Sequence, residues 1–354
     1  EPRQLAELLT SDETEWLRAQ LDETISSPAL QATEEAMRVA FPDFRNDGLA
    51  VHRVLAQLLR TTNPVRARLL LWTENHFSTW ISKVGPRRQW VQHQRFYEKG
   101  PATFGELLRI SATSPAMLVY LDQRQNFSDR LNENYAREIM ELHTVGVDAG
   151  YDQKDVTELA RLLNGWTLAE VADPTGLEPA ADGEFRFEPF LNDGRSRRIF
   201  GMEFSATPPE DRYDNAAKAL EMLSAHPSTA RFISRKLVEH YVGLPADEKL
   251  VDRMSKVYLE TGGDLREILV ALGQDPAFWE SAPRATPPQD FALRFSRMLG
   301  SVSTRKVNDF LNRSGMGLFQ RASPDGYPEA DSNYVNSNTL MQQWAFTDGF
   351  RGDL

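Results

Sequence analysis

Apolar residues recur at helical spacing along most of this chain, and helix start and stop residues separate the runs. Thr10 and Glu13 have the spacing of a capping box at a helix start. Gly146 follows a helical run over residues 132–145, and Asp152 precedes the next run. Glycine after a helix and aspartate before one are common caps. The sequence therefore predicts a mainly α-helical fold.

One stretch, residues 172–209, has a different composition, because proline, glycine and aspartate are frequent there. Within it, residues 183–190 (GEFRFEPF) and 197–204 (RRIFGMEF) alternate apolar and polar side chains around a turn at Asn192-Asp193-Gly194. Such alternation on both sides of a turn is typical of a β-hairpin. We expect residues 172–209 to form a small hairpin insertion in the helical fold.

Composition excludes several classes of function. The net charge of −11 disfavours nucleic acid, whose phosphates normally require a basic protein surface. No apolar run approaches the roughly 20 residues needed to span a bilayer, so we expect no transmembrane segment. The chain has no cysteine, which excludes disulfides, zinc ribbons and thiol nucleophiles. It also has no phosphate-binding glycine loop and no Gly-x-Ser-x-Gly motif.

Several ordered blocks of sequence resemble one family, the domain-of-unknown-function 1800 family of bacterial proteins. The blocks are LLLWTENHF (69–77), SPAMLVYLD (114–122), NENYAREIMELHTVGVDAGY (132–151), DVTELARLLNGWT (155–167), HPSTARFISRKLVEHYV (226–242), DPAFW (275–279) and SPDGYPEA (323–330). The resemblance implies one large helical domain over residues 1–354, although the length alone would favour two domains. It also implies an exported protein, periplasmic or secreted after loss of a leader, often encoded beside a sulfatase-like companion. It implies no particular activity.

The chain departs from the family pattern at two places. Where the family has His-Asp-x-Gly-x-Lys, this chain has Asn192-Asp193-Gly194 followed by arginines at 195, 197 and 198. A tryptophan expected near the last helix is replaced by Tyr334. If the missing histidine or lysine serves a site in other members, that role is altered or lost here.

Two carboxylates on one predicted helix are the first candidates for catalysis. Asn134, Glu138 and Glu141 are spaced i, i+4 and i+7, so they share one face while Tyr135 and Leu142 point toward the core. Arg137 lies four residues before Glu141 and is predicted to hold its carboxylate. Two close carboxylates raise the pKa of one of them, which gives an acid beside a base. The alternative is a structural network in which Arg137 and Asn134 pair with both acids.

This pattern suggests a hydrolase that uses acid–base catalysis on a glycan. Glycosidases place their two carboxylates on opposite sides of the substrate, and one helix meets that requirement poorly. Asp155 or Glu74 is therefore a candidate for the second carboxylate. His76, which follows Trp72 in an aromatic-rich run, is expected to line the same cleft.

Other residues complete the predicted site. Trp72, His143, Trp166 and Tyr327 are expected to contact the substrate, although aromatic residues of this kind are as often part of a core. His143 is alternatively a cation at the C-terminal end of its helix. His76 together with two carboxylates would form a divalent metal site for iron, manganese or zinc; otherwise no cofactor is expected.

Three functions remain open at this point. The first is the carboxylate-dependent hydrolase, with Glu138, Glu141, His76, Arg137 and Asn134 as catalytic residues. The second is a noncatalytic protein of the envelope or secreted fraction that binds the sulfatase-like companion. The third is a metal-dependent enzyme that uses carboxylates and histidine.

Overall fold

Helices form most of the described chain, as predicted. The computed structural model describes residues 12–22, 32, 35, 47–169, 183–300 and 303–351. The α-helices are α1 Glu13–Asp22, α2 Asp47–Arg60, α3 Pro64–His76, α4 Ile81–Val84, α5 Pro86–Lys99, α6 Phe104–Ala112, α7 Pro115–Tyr120, α8 Asn134–Glu138, α9 Gln153–Leu162, α10 Arg212–Ser224, α11 Pro227–Tyr241, α12 Glu248–Thr261, α13 Leu265–Gln274, α14 Pro276–Trp279, α15 Pro288–Met298, α16 Thr304–Arg313 and α17 Ser337–Asp348. A π-helix, Ile139–His143, continues α8, and short 3₁₀ turns occupy Gln123–Gln125, Pro189–Leu191, Pro209–Asp211 and Asp331–Asn333.

Side-chain caps explain where several helices begin. Before α9, Asp152 accepts a hydrogen bond from the backbone N–H of Asp155 at 3.0 Å, and Asp155 accepts one in return from the N–H of Asp152 at 3.1 Å. This reciprocal pair satisfies amide groups that have no partner within the helix. The cap predicted at Asp152 is thus confirmed. Thr10 lies outside the described residues, and the first cap within them is Asp12, which accepts from the N–H of Thr14 at 2.7 Å.

The predicted small β-hairpin is confirmed, but its two strands are not the predicted pair. Residues 170–182 lie outside the described part, but the flanking strands form two separate sheets. In the first sheet, β1 (Trp166–Leu168) pairs antiparallel with β2 (Phe185–Phe187), and in the second, β3 (Arg197–Ile199) pairs with β4 (Met202–Phe204). The β3–β4 connection is the two-residue turn Phe200-Gly201, both with positive φ (48° and 76°). That conformation matches the twist of a tight hairpin.

Apolar side chains collect in two clusters, and α3 contributes to both. The larger cluster draws on helices from α3 to α13, and the smaller on α2, α15, α16 and α17. Leu69 and Trp72 of α3 belong to the larger cluster, whereas Ala67 belongs to the smaller one. α3 also buries Glu74 and His76, so the buried surface extends around the helix and includes polar side chains. The single domain over residues 1–354 stays a prediction.

The segment between α16 and α17, residues 314–336, is called the C-terminal loop below. It lies against α3, α4 and α7. Its Phe319 carbonyl accepts from the N–H of Ile81 at 2.9 Å, and its Ala322 carbonyl accepts from the hydroxyl of Tyr120 at 2.9 Å. The side chain of Asn75 binds the backbone of Tyr327 twice, at 2.9 and 2.6 Å. These contacts place the loop next to the predicted site.

None of the helices described here has both the length and the apolar character required to cross a membrane.

Candidate functional site

The predicted catalytic helix changes its winding in the middle. Residues Asn134–Glu138 are α-helical, but Ile139–His143 form a π-helix, whose hydrogen bonds span one residue more than those of an α-helix. Tyr135 faces the core as predicted and is fully buried. Leu142 is only partly buried, and His143 takes the core position instead. The wider turn shifts the helical phase, so the expectation for Leu142 is wrong.

Glu138 is a half-buried carboxylate without a polar partner. It makes no hydrogen bond and no ion pair with any residue that the structure describes. Burial raises the pKa of Glu138, and the nearby Glu141 carboxylate raises it further, while Arg137 opposes the shift. Burial is thus the larger cause of the shift, and the charge of Glu141 acts in the same direction.

Arg137 holds Glu141, as predicted, with its Nη1 at 3.4 Å from the carboxylate. It also lies 3.5 Å from Glu133. Asn134 does not hold a carboxylate: its side-chain amide donates to the carbonyl of Leu121 at 3.1 Å. That bond ties α8 to the end of α7, so Asn134 positions the helix that carries Glu138.

A third acid, Asp325, approaches Glu138 from the C-terminal loop. Asp325 is exposed and lies 3.3 Å from the guanidinium of Arg321. Its charge contributes to the raised pKa of Glu138. Burial raises the pKa of Tyr120 to about 12, with further contributions from Glu138 and Asp325. The charges of Glu138 and Asp325 thus both act on Tyr120, and the charge of Asp325 acts on Glu138 as well.

Asp325 was missed by sequence reasoning, and the two acids proposed in its place have other roles. Asp155 caps α9 and also accepts a hydrogen bond from the N–H of Phe200 at 3.0 Å. Glu74 belongs to a different network, described below. No local pattern links Asp325 to Glu138, because only the docking of the C-terminal loop brings them together.

His76 lies in the core rather than on a cleft wall. Its exposed fraction is 2%, its ring stacks on Trp72 with centroids 5.1 Å apart, and its Nε2 lies 3.1 Å from the carbonyl oxygen of His143. Burial lowers the pKa of His76 well below its usual value, and the charge of Lys236 lowers it further. An uncharged core histidine fits these surroundings, in keeping with the lowered pKa expected for this position.

His143 is not a cationic helix cap. It is fully buried, with its ring 5.3 Å from that of Phe77 and 6.0 Å from that of His76. Burial lowers the pKa of His143 to about 3, so the ring is neutral at ordinary pH and cannot compensate the helix dipole. The phase shift of the π-helix is the physical reason, because it turns this side chain inward.

The predicted metal ligands are not assembled. Within the described ranges, no group of three or more His, Asp or Glu side chains is placed to hold a metal ion. His76 has Lys236 and His143 as its electrostatic neighbours, and a lysine beside it disfavours a cation.

Of the other residues expected to contact substrate, only Tyr327 has access to open space. Trp72 is 2% exposed, and Trp166 is fully buried with its ring stacked on Tyr213 at 5.3 Å. Trp166 is the first residue of β1 and lies outside the preceding helix, α9. Tyr327 donates its hydroxyl hydrogen to the carbonyl of Gly317 at 2.8 Å and lines two adjoining hollows.

These hollows lie beneath the C-terminal loop and share Leu71, Asn75, Gln289 and Tyr327 as wall residues. Each has about 30 Å³ open to a water-sized molecule, which is room for roughly one or two waters. Neither is lined by Glu138 or His76.

Glu74 and His93 lie at the wall of the first hollow. His93 Nδ1 lies 2.9 Å from Oε1 of Glu74, and its Nε2 lies 2.7 Å from Oε1 of Gln57. His93 is fully buried and Glu74 is 8% exposed. These three side chains come from α5, α3 and α2, so no spacing within one helix could have revealed them.

Lys236 on α11 is a further polar group that the sequence-based prediction assigned a structural role. Burial lowers the pKa of Lys236 to about 8, while the carboxylates of Glu329, Glu239 and Asp325 oppose the change. Its ammonium nitrogen lies 5.5 Å from the centre of the Phe232 ring. Lys236 thus places a positive charge between the buried histidines and the acids of the C-terminal loop.

Comparison with known proteins gives a family and no closer relative. A family model described as a protein of unknown function, DUF1800, matches residues 1–351. No curated protein and no solved structure matches the chain. Because the match covers all but the last three residues, the chain belongs to the DUF1800 family of proteins of unknown function.

Proposed function

We propose that this protein is a carboxylate-dependent hydrolase that acts on a glycan, with Glu138 as its proton donor. The observation that carries the proposal is the state of Glu138, which is half-buried, has no polar partner among the described residues and has a raised pKa. A carboxylic acid whose pKa is raised keeps its proton to a higher pH than an ordinary glutamate does, which suits it to protonate a leaving-group oxygen.

Asp325 is the second carboxylate in this proposal. It lies on the C-terminal loop, and its charge acts on Glu138. In this proposal the substrate lies between the two carboxylates, as glycoside hydrolysis requires. Glu138 donates its proton to the glycosidic oxygen as the bond breaks, and a water molecule then adds to the anomeric carbon and returns a proton to Glu138. The charge of Asp325, held by Arg321, stabilises the positive charge that develops on the sugar ring.

Glu141 and Arg137 act through Glu138 in this scheme. Arg137 fixes Glu141, and the charge of Glu141 helps to keep the proton on Glu138. Both are positioning residues, as is Asn134 through its bond to Leu121. His76 supports this site only as part of the core behind it.

The test is the release of reducing sugar ends from purified peptidoglycan and chitin by the full chain. We expect Glu138→Gln and Asp325→Asn to lose at least about 100-fold in rate, the lower range for a general acid. Glu280→Gln, on an exposed turn, is the matched control and should keep the full rate. Full activity of Glu138→Gln, with folding unchanged by circular dichroism, would end the proposal.

We further propose that the protein works outside the cytoplasm, in the periplasm or the medium. The resemblance of its sequence blocks to exported bacterial proteins supports this location. Fractionation of cells that express the natural gene tests it, since recovery with a cytoplasmic marker enzyme contradicts export.

A second function is favoured by a surface on α17. Leu340, Met341 and Trp344 are 49%, 64% and 74% exposed, and their spacing places them on neighbouring parts of one helix. Exposed apolar surfaces of this kind often bind other proteins. A noncatalytic role, binding the sulfatase-like companion, predicts co-purification of the two proteins and its loss in Trp344→Ser. Equal recovery of the companion with both forms contradicts this role.

A further inference from the structure

We propose that Lys236 is a nucleophilic amine that binds a small neutral aldehyde or ketone covalently, as an imine. The inference does not depend on Glu138 or on the hydrolase activity. It starts from the surroundings of the Lys236 ammonium, which differ from those of the other lysines in the chain.

The chain has eight lysines, and the structure describes all of them. Lys236 is partly buried, and its ammonium forms no hydrogen bond and no ion pair with any residue that the structure describes. Four of the other lysines bind an oxygen atom, and three are exposed. The first set is Lys83, Lys99, Lys256 and Lys306, and the second is Lys154, Lys218 and Lys249.

Aromatic rings surround the Lys236 ammonium on the side of the core. Lys236 lies one helical turn after Phe232 on α11, and its nitrogen is 5.5 Å from the centre of the Phe232 ring. That ring lies 6.5 Å from the ring of His76. The charge of Lys236 lowers the pKa of both His76 and His143, so the ammonium lies near two buried, uncharged imidazoles. These rings replace only part of the water that an exposed ammonium binds.

Two carboxylates of the C-terminal loop act on the charge of Lys236, but other side chains engage both of them. Oε1 of Glu329 lies 2.7 Å from Nδ1 of His240. Asp325 lies 3.3 Å from the guanidinium of Arg321. The loop therefore compensates the ammonium only from a distance.

A third carboxylate, Glu239, lies on α11 itself. Burial raises the pKa of Glu239, while the charges of Arg235 and Lys236 oppose the change. Burial likewise outweighs the three carboxylates at Lys236 and lowers its pKa to about 8. The unpaired position of this amine and its lowered pKa thus have the same physical cause.

The consequence is a larger share of uncharged amine. With a pKa of about 8, Lys236 is about 10% uncharged at pH 7, whereas an ordinary lysine is about 0.03% uncharged. The uncharged amine is the nucleophile, and desolvation is a common way to activate a lysine. Its nitrogen attacks the carbonyl carbon, the carbonyl oxygen leaves as water with both amine hydrogens, and a C=N bond remains. No oxidant or reductant is consumed.

The same surroundings select the class of carbonyl compound. The charges of Asp325 and Glu329, which both act on Lys236, disfavour an anion such as a 2-oxo acid. The ring of Phe232 offers an apolar contact to a carbon chain. A neutral aldehyde or ketone meets both conditions.

The experiment equilibrates the full chain with propanal at pH 7, reduces the imines with a short pulse of borohydride and locates the propylated lysines by peptide mass spectrometry. Lys218, exposed on α10, is the control within the same chain. We expect at least about tenfold more label on Lys236 than on Lys218, less than the difference in uncharged amine because partial burial restricts access. The label on Lys236 should reach half of its maximum near pH 8, while that on Lys218 still rises above pH 10.

Two further conditions test the cause of the preference. In concentrated urea the ratio of label on Lys236 to label on Lys218 should fall to about one, because unfolding removes the surroundings that lower the pKa. With glyoxylate, an anionic aldehyde, the ratio should be at least about threefold smaller than with propanal. Lys236→Met should lose the Lys236 label and keep that on Lys218.

Three results would overturn the proposal. The first is a label on Lys236 no greater than that on Lys218 in the folded protein. The second is a ratio that urea leaves unchanged, since the folded surroundings would then have no part in it. The third is a ratio with glyoxylate equal to or above that with propanal, which contradicts a site for neutral carbonyl compounds. Loss of hydrolysis in Glu138→Gln leaves all of these measurements unaffected.

Discussion

The replacement of Gly326 by alanine tests how the C-terminal loop is held. Gly326 has a φ of +75° and lies directly against α3, where a Cβ atom would overlap the backbone oxygen of Asn75. The carbonyl of the neighbouring residue, Tyr327, accepts a hydrogen bond from the side-chain amide of Asn75, and the N–H of Tyr327 donates one to the side-chain oxygen of Asn75. Alanine at position 326 therefore has to move the loop or break those bonds.

The expected loss of stability follows from these contacts. A residue with a side chain in the left-handed conformation costs about 1–2 kcal/mol. Each of the two hydrogen bonds at Asn75 contributes about 0.5–1.5 kcal/mol, so Gly326→Ala should destabilise the protein by about 2–5 kcal/mol. Gly315 is a matched control, because its φ is +74° and a Cβ there meets nothing within 4 Å. Gly315→Ala should lose only the stability that a side chain in the left-handed backbone conformation costs.

The assay is urea denaturation at pH 7 and 25 °C, followed by circular dichroism. We expect Gly326→Ala to lose about 1–3 kcal/mol more than Gly315→Ala, which is the share of the two hydrogen bonds. Equal losses of stability in the two variants would refute the described docking of the loop.

Three further changes test the charges and the capping contacts. The pKa of Glu138 is raised in the folded protein, so its charged form lowers the free energy of unfolding at pH values above the ordinary pKa of a glutamate. Glu138→Gln should therefore stabilise the protein at pH 7, and urea titrations below about pH 4 should show no such gain. The pKa of Lys236 is lowered from 10.5 to about 8, so the folded protein releases this proton at a lower pH than the unfolded chain does. The free energy of unfolding should therefore rise between pH 8 and 10.5, and Lys236→Met should remove that rise from the same titrations. Asn192 donates to the carbonyls that end α9, at 3.0–3.2 Å; Asn192→Ala should cost about 1–3 kcal/mol, while Arg195→Ala, which is exposed, should stay within about 0.5 kcal/mol. If Asn192→Ala lost no more stability than Arg195→Ala, the proposed cap of Asn192 at the end of α9 would be contradicted.

Helices with one apolar face could be predicted from the sequence, and those with a polar buried face could not. In α6, for example, Phe104, Leu107 and Leu108 recur at helical spacing in the sequence and are buried. By contrast, α5 buries Gln89, Gln92 and His93 along with Phe96. From the sequence alone, the buried face of α5 would be assigned to solvent. Polar residues are buried only where tertiary partners satisfy them, and those partners are not visible in the sequence of one helix.

The strands show a second limit. Alternation of apolar and polar residues indicates which side of a strand is buried, but it does not identify the partner strand. Residues 185–187 pair with 166–168 rather than with 197–199. The turn assigned to Asn192 instead brings its amide to the end of α9. The asparagine that replaces the histidine of the family pattern thus has a structural role here.

The candidate site was predictable only as far as one helix extends. The pair of Arg137 and Glu141, four residues apart, follows from helical spacing. The π-helix does not, because it changes the phase that the spacing argument assumes, and so His143 replaces Leu142 in the core. Such π segments often occur at functional sites.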